Sequence, residues 1–313
     1  ALGYSAWERL HMNEGHAALL VLELLRQNRK GTSAVLGFDD VRQRCVFTTH
    51  TPVPAGHDQF SYDLFARVAG EPLGAEVTHM LGGRDRLNMT LLALNMSHYV
   101  NGVAKKHGEV SREMFAQYPI DSITNGVHSR TWTCESFRNL YDRYIPGWVN
   151  DPFSLRYAIS IPEEEIWDAH VQAKTRLMEE VARRTNLSFK SDVLTIGFAR
   201  RATAYKRADL LLHDPGQLAD IAKTVGPIQV LFAGKAHPKD SGGKDLIRRV
   251  VASAKELKDQ VAIAYLENYD MSMALLLISG VDLWLNTPLR PQEASGTSGM
   301  KAAHNGVPSL SVL

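Results

Sequence analysis

Cysteine is scarce in this 313-residue sequence, with Cys45 and Cys134 the only two. Two thiols cannot build a disulfide framework or a four-thiolate metal site, and such sparing use fits a reducing compartment. Net charge is nearly absent too, at +1, which gives no reason to expect nucleic acid or an anionic membrane as partner. Any anion site must therefore arise from local clusters. No apolar run approaches the roughly 18 residues that a membrane span needs; residues 17–25 are broken by Glu23 and followed by Arg26. No basic-then-apolar segment opens the chain, so the expected location is the cytoplasm. Internal repeats, low-complexity tracts, the dinucleotide fingerprint GxGxxG and the nucleotide loop GxxxxGK[ST] are all missing.

What is present reads as a globular protein, with 44% apolar and 22% charged residues and a length that suggests two domains. Apolar residues recur at helical spacing from 14 to 30 (Ala18, Leu19, Leu22, Leu25), ending in Arg26, Arg29, Lys30 and Gly31. Residues 45–49 predict a β-branched strand closed by the loop Pro52-Val53-Pro54-Ala55-Gly56, residues 88–106 an amphipathic helix, and 120–124 a strand entering the Asn125-Gly126 turn. Residues 133–160 are aromatic and proline-rich with weak periodicity, which suggests a hinge. After a long charged helix over about 162–185 the pattern becomes rhythmic. Strands at 193–198, 228–232, 261–265 and 281–285 alternate with helices beginning near Lys206, Lys244, Met271 and Thr297. Such alternation predicts an α/β fold with a doubly wound parallel sheet, and ligands then bind beyond the carboxyl ends of the strands.

Those strand ends carry the chemistry. After 193–198 come Arg200, Arg201, Lys206 and Arg207, four cations within eight residues where a strand gives way to a helix. A solvated basic face would look the same. After 281–285 comes Glu293-Ala294-Ser295-Gly296-Thr297-Ser298-Gly299-Met300-Lys301, whose small residues let backbone amides approach a phosphate closely. Lys301 falls about one turn into the next helix among Met300, Ala302 and Ala303. Apolar surroundings would disfavour its charged form and free the amine for a Schiff base. Taken singly, such a residue is more often an exposed helix lysine.

The segments HMNEGH, FTTHTPVPAGHDQF, SITNGVHSRTW, GFARRATAYKRADLLL, FAGKAHPKDSGGK, NYDMSMALLLISGVDLWLNTP and EASGTSGMK together resemble the α-glucan (glycogen, starch, maltodextrin) phosphorylase family, in its shorter bacterial and archaeal branch. The resemblance runs over nearly the whole chain. It implies a GT-B-type two-domain architecture with both domains incomplete here. Residues 1–132 would be the end of an amino-terminal, glucan-side domain, 133–160 a hinge, and 161–313 a cofactor-binding Rossmann-like domain truncated at its carboxyl end. The implied activity is a retaining transfer of glucosyl units from the non-reducing end of α-1,4-glucan to inorganic phosphate, giving α-glucose 1-phosphate. The implied cofactor is pyridoxal 5'-phosphate, and relatives are commonly dimers.

Residue by residue, Lys301 matches the lysine that binds pyridoxal phosphate as a Schiff base. Arg201 and Lys206 match the substrate-phosphate pair, with Lys206 also on the cofactor side. Thr297 and Ser298 match amides at the cofactor phosphate, Arg200 a second cofactor-side cation, and Tyr269 a tyrosine near the cofactor ring. Glu293, Ser295, Gly296 and Asn125 match contacts to glucose hydroxyls. His50 matches a histidine that steadies the oxocarbenium-like state, and Asn13, Glu14 and His16 lie near the sugar in relatives. The catalytic set so implied is Lys301, Arg201, Lys206, His50 and Glu293. No metal is expected, since His11 and His16 are not at helical zinc spacing and no third ligand is evident.

Three departures stand against the resemblance. The family's glycine-rich phosphate loop does not precede Ala1, the family sequence continues past SLSVL, and Ala202 and His304 replace an aromatic and an apolar residue. The expectation is that this chain alone is inactive while its parent is a phosphorylase. A sugar-nucleotide glycosyltransferase of the same architecture, a glucan-binding protein without chemistry and a pyridoxal aminotransferase are the remaining alternatives.

Overall fold

A computed structural model describes residues 7–28, 36–70 and 73–312. The chain divides into two compact units, Ala1–Asn125 with Pro291–Ser295, and Gly126–Arg290 with Gly296–Leu313.

The first unit holds a four-stranded parallel sheet of β1 (Leu10–Asn13), β2 (Cys45–Thr48), β3 (Tyr99–Gly102) and β4 (Asp121–Ser122), in that order. Met12, Phe47 and Val100 from the strands, Val21, Leu22, Leu25 and Leu92 from flanking helices, and Met96 just past a helix end form its core. Two expectations fail here. The helix predicted over 88–106 is a helix Met89–Asn95, then β3, then a helix Lys105–Met114. A four-residue strand buried on both faces shows no alternation, so its apolar residues extended the helical pattern of their neighbours. Likewise β1 and a 3-10 turn Gly15–Ala17 precede the helix Leu19–Asn28; Arg29, Lys30 and Gly31 lie outside the described residues.

The second unit carries a five-stranded, all-parallel sheet. β5 (Leu194–Ala199), β6 (Ile228–Ala233), β7 (Ala262–Leu266), β8 (Leu283–Asn286) and β9 (Ser309–Ser311) are ordered β9-β8-β5-β6-β7. Alternate strand residues face opposite cores. Ala199, Leu231, Ala264 and Trp284 pack with Leu177, Met273 and Leu277, whereas Phe198, Val230, Phe232 and Leu285 pack with Leu218, Leu246 and Val250. Helices thus cover both faces. Aspartates start three of them: Asp214, Asp240 and Asp270 accept amides of Gln217, Gly243 and Met273 at 2.8–2.9 Å.

The helix predicted from Lys206 is replaced by two 3-10 turns, Ala204–Lys206 and Leu210–Leu212, and the α-helix waits until Pro215–Thr224. Arg207 adopts a left-handed φ of 50°, which no α-helix passes through. Residues 133–160, expected as a hinge, contain the helix Glu135–Tyr144, whose Phe137, Leu140 and Tyr141 pack with Trp148, Ile161 and Ala169. The long helix Glu163–Thr185 follows. Among the described residues no helix is long and apolar enough to cross a membrane, and no group of three or more His, Cys, Asp or Glu could hold a metal ion.

Candidate functional site

Parallel strands place the residues after their carboxyl ends on one rim. In the first unit Asn13 is the last residue of β1, His50 follows β2 by two residues, and Asn125 follows β4 by three. His50 Nε2 lies 2.5 Å from Asn13 Oδ1. Glu14 ties the two loops together. Its Oε1 accepts the Gly15 amide at 2.8 Å, and its Oε2 accepts the His50 amide at 2.7 Å and the Thr51 hydroxyl at 2.9 Å. It does so with a left-handed φ of 79°, which costs a non-glycine residue on the order of 1–3 kcal/mol. Expected near the sugar, Glu14 is committed to holding the His50 loop. His57 and His107 are buried on this unit, and burial holds both rings below the usual histidine range. His16 is exposed on the 3-10 turn.

Replacing Glu14 with alanine removes three hydrogen bonds to a charged acceptor without relieving the backbone strain. Each such bond contributes roughly 1.5–3 kcal/mol. Glu14→Ala is expected to lower stability by about 2 kcal/mol or more in urea unfolding; a loss below about 0.5 kcal/mol would contradict this reading of Glu14.

In the second unit Arg200 follows β5 directly, and its N–H donates a 3.2 Å hydrogen bond to the carbonyl of Ala233 at the end of β6. Gly234 lets that approach happen: with φ at 146°, a Cβ there would stand 2.0 Å from the Arg200 carbonyl oxygen. Lys206 is buried, with Nζ 4.6 Å from the centre of the Tyr205 ring, whereas Arg201 is exposed. Arg207, counted with the anion-binding cations from sequence, has a different role. Its Nε and Nη2 donate to the carbonyls of Thr287 and Pro288 at 2.8 and 3.1 Å, stapling this loop to the one after β8. Tyr269 follows β7; burial raises its phenol above the ordinary range, and the charge of Arg200 pulls the other way.

Lys301 sits in the helix Ser298–Ala303, its amide bonded to the Thr297 carbonyl at 3.1 Å. Burial holds its amine below the usual lysine range. Its Nζ lies 3.7 Å from the centre of the Trp132 ring. Ser298 Oγ accepts the indole N–H of buried Trp284 at 3.0 Å. His304, one of the departures, is accommodated: Nδ1 meets the Met300 carbonyl at 2.7 Å and Nε2 the Ser129 hydroxyl at 2.9 Å.

The candidates therefore fall into two groups. Asn13, His16, His50 and Asn125 belong to the first unit, as do Glu293 and Ser295 through Pro291–Ser295. Arg200, Arg201, Lys206, Tyr269, Gly296, Thr297, Ser298 and Lys301 belong to the second. Sequence reasoning missed Trp132, the ring under the lysine, although SITNGVHSRTW contains it. An aromatic after a short polar turn carries no local mark of the lysine it meets 169 positions later.

Residues 75–313 match the family model of the carbohydrate phosphorylases. A maltodextrin phosphorylase of Thermococcus litoralis is 40% identical over 97% of this chain and 40% of its own length. A glycogen phosphorylase of Aquifex aeolicus is 37% identical over 97% of this chain and 49% of its own. A glycogen phosphorylase of Mycobacterium tuberculosis is 39% identical over 99% of this chain and 42% of its own. The chain thus spans less than half the length of these curated relatives. With three quarters of its residues under the family model and two sheet rims bearing the matching motifs, the chain belongs to the carbohydrate phosphorylase family.

Proposed function

We propose that the protein containing this chain is an α-glucan phosphorylase of GT-B architecture, working in the cytoplasm. It would transfer glucosyl units from the non-reducing end of α-1,4-glucan to inorganic phosphate, with retention. The observation that carries this reading is Lys301, a lysine whose amine is partly buried against an indole ring at the carboxyl end of a parallel sheet. Burial that lowers the pKa of an amine raises the fraction present as the free nucleophile at any given pH, as a carbonyl-bearing cofactor requires.

The donor set of the second unit suits pyridoxal phosphate. Lys301 would anchor it, the amides of Thr297 and Ser298 with Arg200 and Lys206 would receive its phosphate, and Tyr269 would stand near its ring. When bound, the cofactor supplies a phosphate group that exchanges a proton with substrate phosphate. Arg201 and Lys206 would bind the substrate dianion, where two fixed cations offset the repulsion between neighbouring phosphates. His50 and Asn13, with Glu293, Ser295, Gly296 and Asn125, would hold glucose hydroxyls and aim dipoles at the positive charge that develops on the sugar. Glu14 fixes the His50 loop before substrate arrives, so that no reorganisation is needed at the moment of reaction.

Incubation with pyridoxal phosphate, borohydride reduction and peptide mapping tests the assignment. The label is expected on Lys301. A label on another lysine, or none, would refute it.

A further inference from the structure

Asn305 lies two residues past the Lys301 helix and is completely buried. Its Nδ2 donates to the carbonyl of Trp132 at 2.7 Å and to the carbonyl of Lys301 at 2.9 Å, while its Oδ1 accepts the Cys134 amide at 2.7 Å. Two carbonyls on one side and an N–H on the other allow only one orientation of the carboxamide. All three partners are backbone groups, so the contacts survive any change of their side chains. A single side chain thus bonds the backbone of both residues whose side chains form the amine–indole contact.

Neighbouring contacts hold the same two segments together without touching that pair directly. His304 bonds Ser129, and the Tyr141 hydroxyl donates to the His304 carbonyl at 3.0 Å. Just beyond, Gly306 turns the chain with φ at 68°, and the Val307 amide returns to the Ala302 carbonyl at 3.1 Å. Asn305 is therefore held from both sides.

We infer that Asn305 is the positioning residue that holds the Lys301 amine over the Trp132 ring and so presents it to the carbonyl of its cofactor. This rests on the reading of Lys301 as the cofactor anchor. Without the carboxamide, two carbonyls and an amide lose their partner, residues 132–134 loosen against the helix, and the long lysine side chain leaves the ring. The amine then loses the burial that lowers its pKa and its place over the ring, so a smaller and less well-placed unprotonated fraction attacks the carbonyl.

The test uses the full 313-residue chain. The rate at which pyridoxal phosphate becomes borohydride-trappable on Lys301 is followed against pH for the wild type, Asn305→Ala, Trp132→Leu and the double variant. Circular dichroism confirms that each is folded. Asn305→Ala is expected to slow trapping at pH 7.5 about tenfold and to move the midpoint of the pH profile upward, toward an unburied lysine. Trp132→Leu removes the ring over which the amine is placed and is expected to slow trapping in part. The double variant should be no worse than Asn305→Ala, because both act through one contact. Additive losses, or an unchanged rate and pH profile in folded Asn305→Ala, overturn the inference. Should Asn305→Ala not fold, Asn305→Asp keeps the size and the acceptor for Cys134 but turns an oxygen toward the two carbonyls, and the same slowing is required of it. Trp132→Leu alone also decides: a wild-type rate of trapping there would overturn the inference. Absence of the label from Lys301 in the wild type would instead refute the cofactor assignment, which separates the two failures.

Discussion

Gly234→Ala is expected to cost the second unit about 4 kcal/mol or more, seen as a fall of roughly 10 °C in its thermal midpoint by circular dichroism. Two effects coincide at this glycine. Its φ of 146° is open to glycine and strained for any residue with a Cβ. The added methyl would also stand 2.0 Å from the Arg200 carbonyl oxygen and 3.0 Å from its carbon. Both are backbone atoms, so no side chain can rotate away, and the strand ends must part. The Arg200 amide would then lose its bond to Ala233. The consequence reaches function because the parting loop carries Arg200, Arg201 and Lys206. Under the proposed function, phosphate affinity should fall together with stability. A variant with an unchanged midpoint would show that the loop is not held as the geometry indicates.

The second large effect lies away from the candidate site. Asp282 joins the long helix Glu163–Thr185 to the sheet: its Oδ1 accepts His170 Nε2 at 2.8 Å, and its Oδ2 accepts Lys174 Nζ at 2.6 Å and the Thr195 amide at 2.7 Å. Lys174, His170 and Thr195 are all buried. Removing one member of a buried ion pair leaves the other charge without compensation, which costs roughly 3–5 kcal/mol. Asp282→Ala should show a loss of that size in urea unfolding at pH 7.

The pH dependence follows from the same contacts. Burial pushes the Asp282 carboxyl upward, but the hydrogen bonds from His170, Lys174 and the Thr195 amide outweigh it, and the folded value lies below the ordinary 3.8. A depressed carboxyl stabilises the fold fully above the ordinary value and loses that contribution as pH falls through the folded one. The gap between wild type and Asp282→Ala should therefore narrow below about pH 3.8. A gap that is undiminished in acid would mean that packing, not charge, holds this helix.

Much of the site was legible because its parts are local. The small residues before Lys301, the cations after β5 and the Asn125-Gly126 turn each occupy a few consecutive positions, and strand–helix alternation placed the first two beyond strand ends of the second unit's parallel sheet. Long amphipathic or charged segments such as Glu163–Thr185 were equally plain. The strand Tyr99–Gly102 was not, because burial on both faces erased its alternation. Arg207 looked like its neighbours because charge is visible in a sequence, whereas a left-handed backbone bonded to two distant carbonyls is not.

By itself the sequence determined the parallel α/β class of the second unit, the family, and which lysine, arginines and histidine to examine. These rest on composition, periodicity and contiguous motifs, all written in neighbouring residues. Only the tertiary structure decided that Lys301 lies over Trp132, that Asn305 bonds both, that Glu14 serves the His50 loop, and that Gly234 must lack a Cβ. Each of these depends on groups far apart in the chain meeting within about 4 Å. No local pattern encodes such meetings, because they exist only once the strands have paired and the helices have packed.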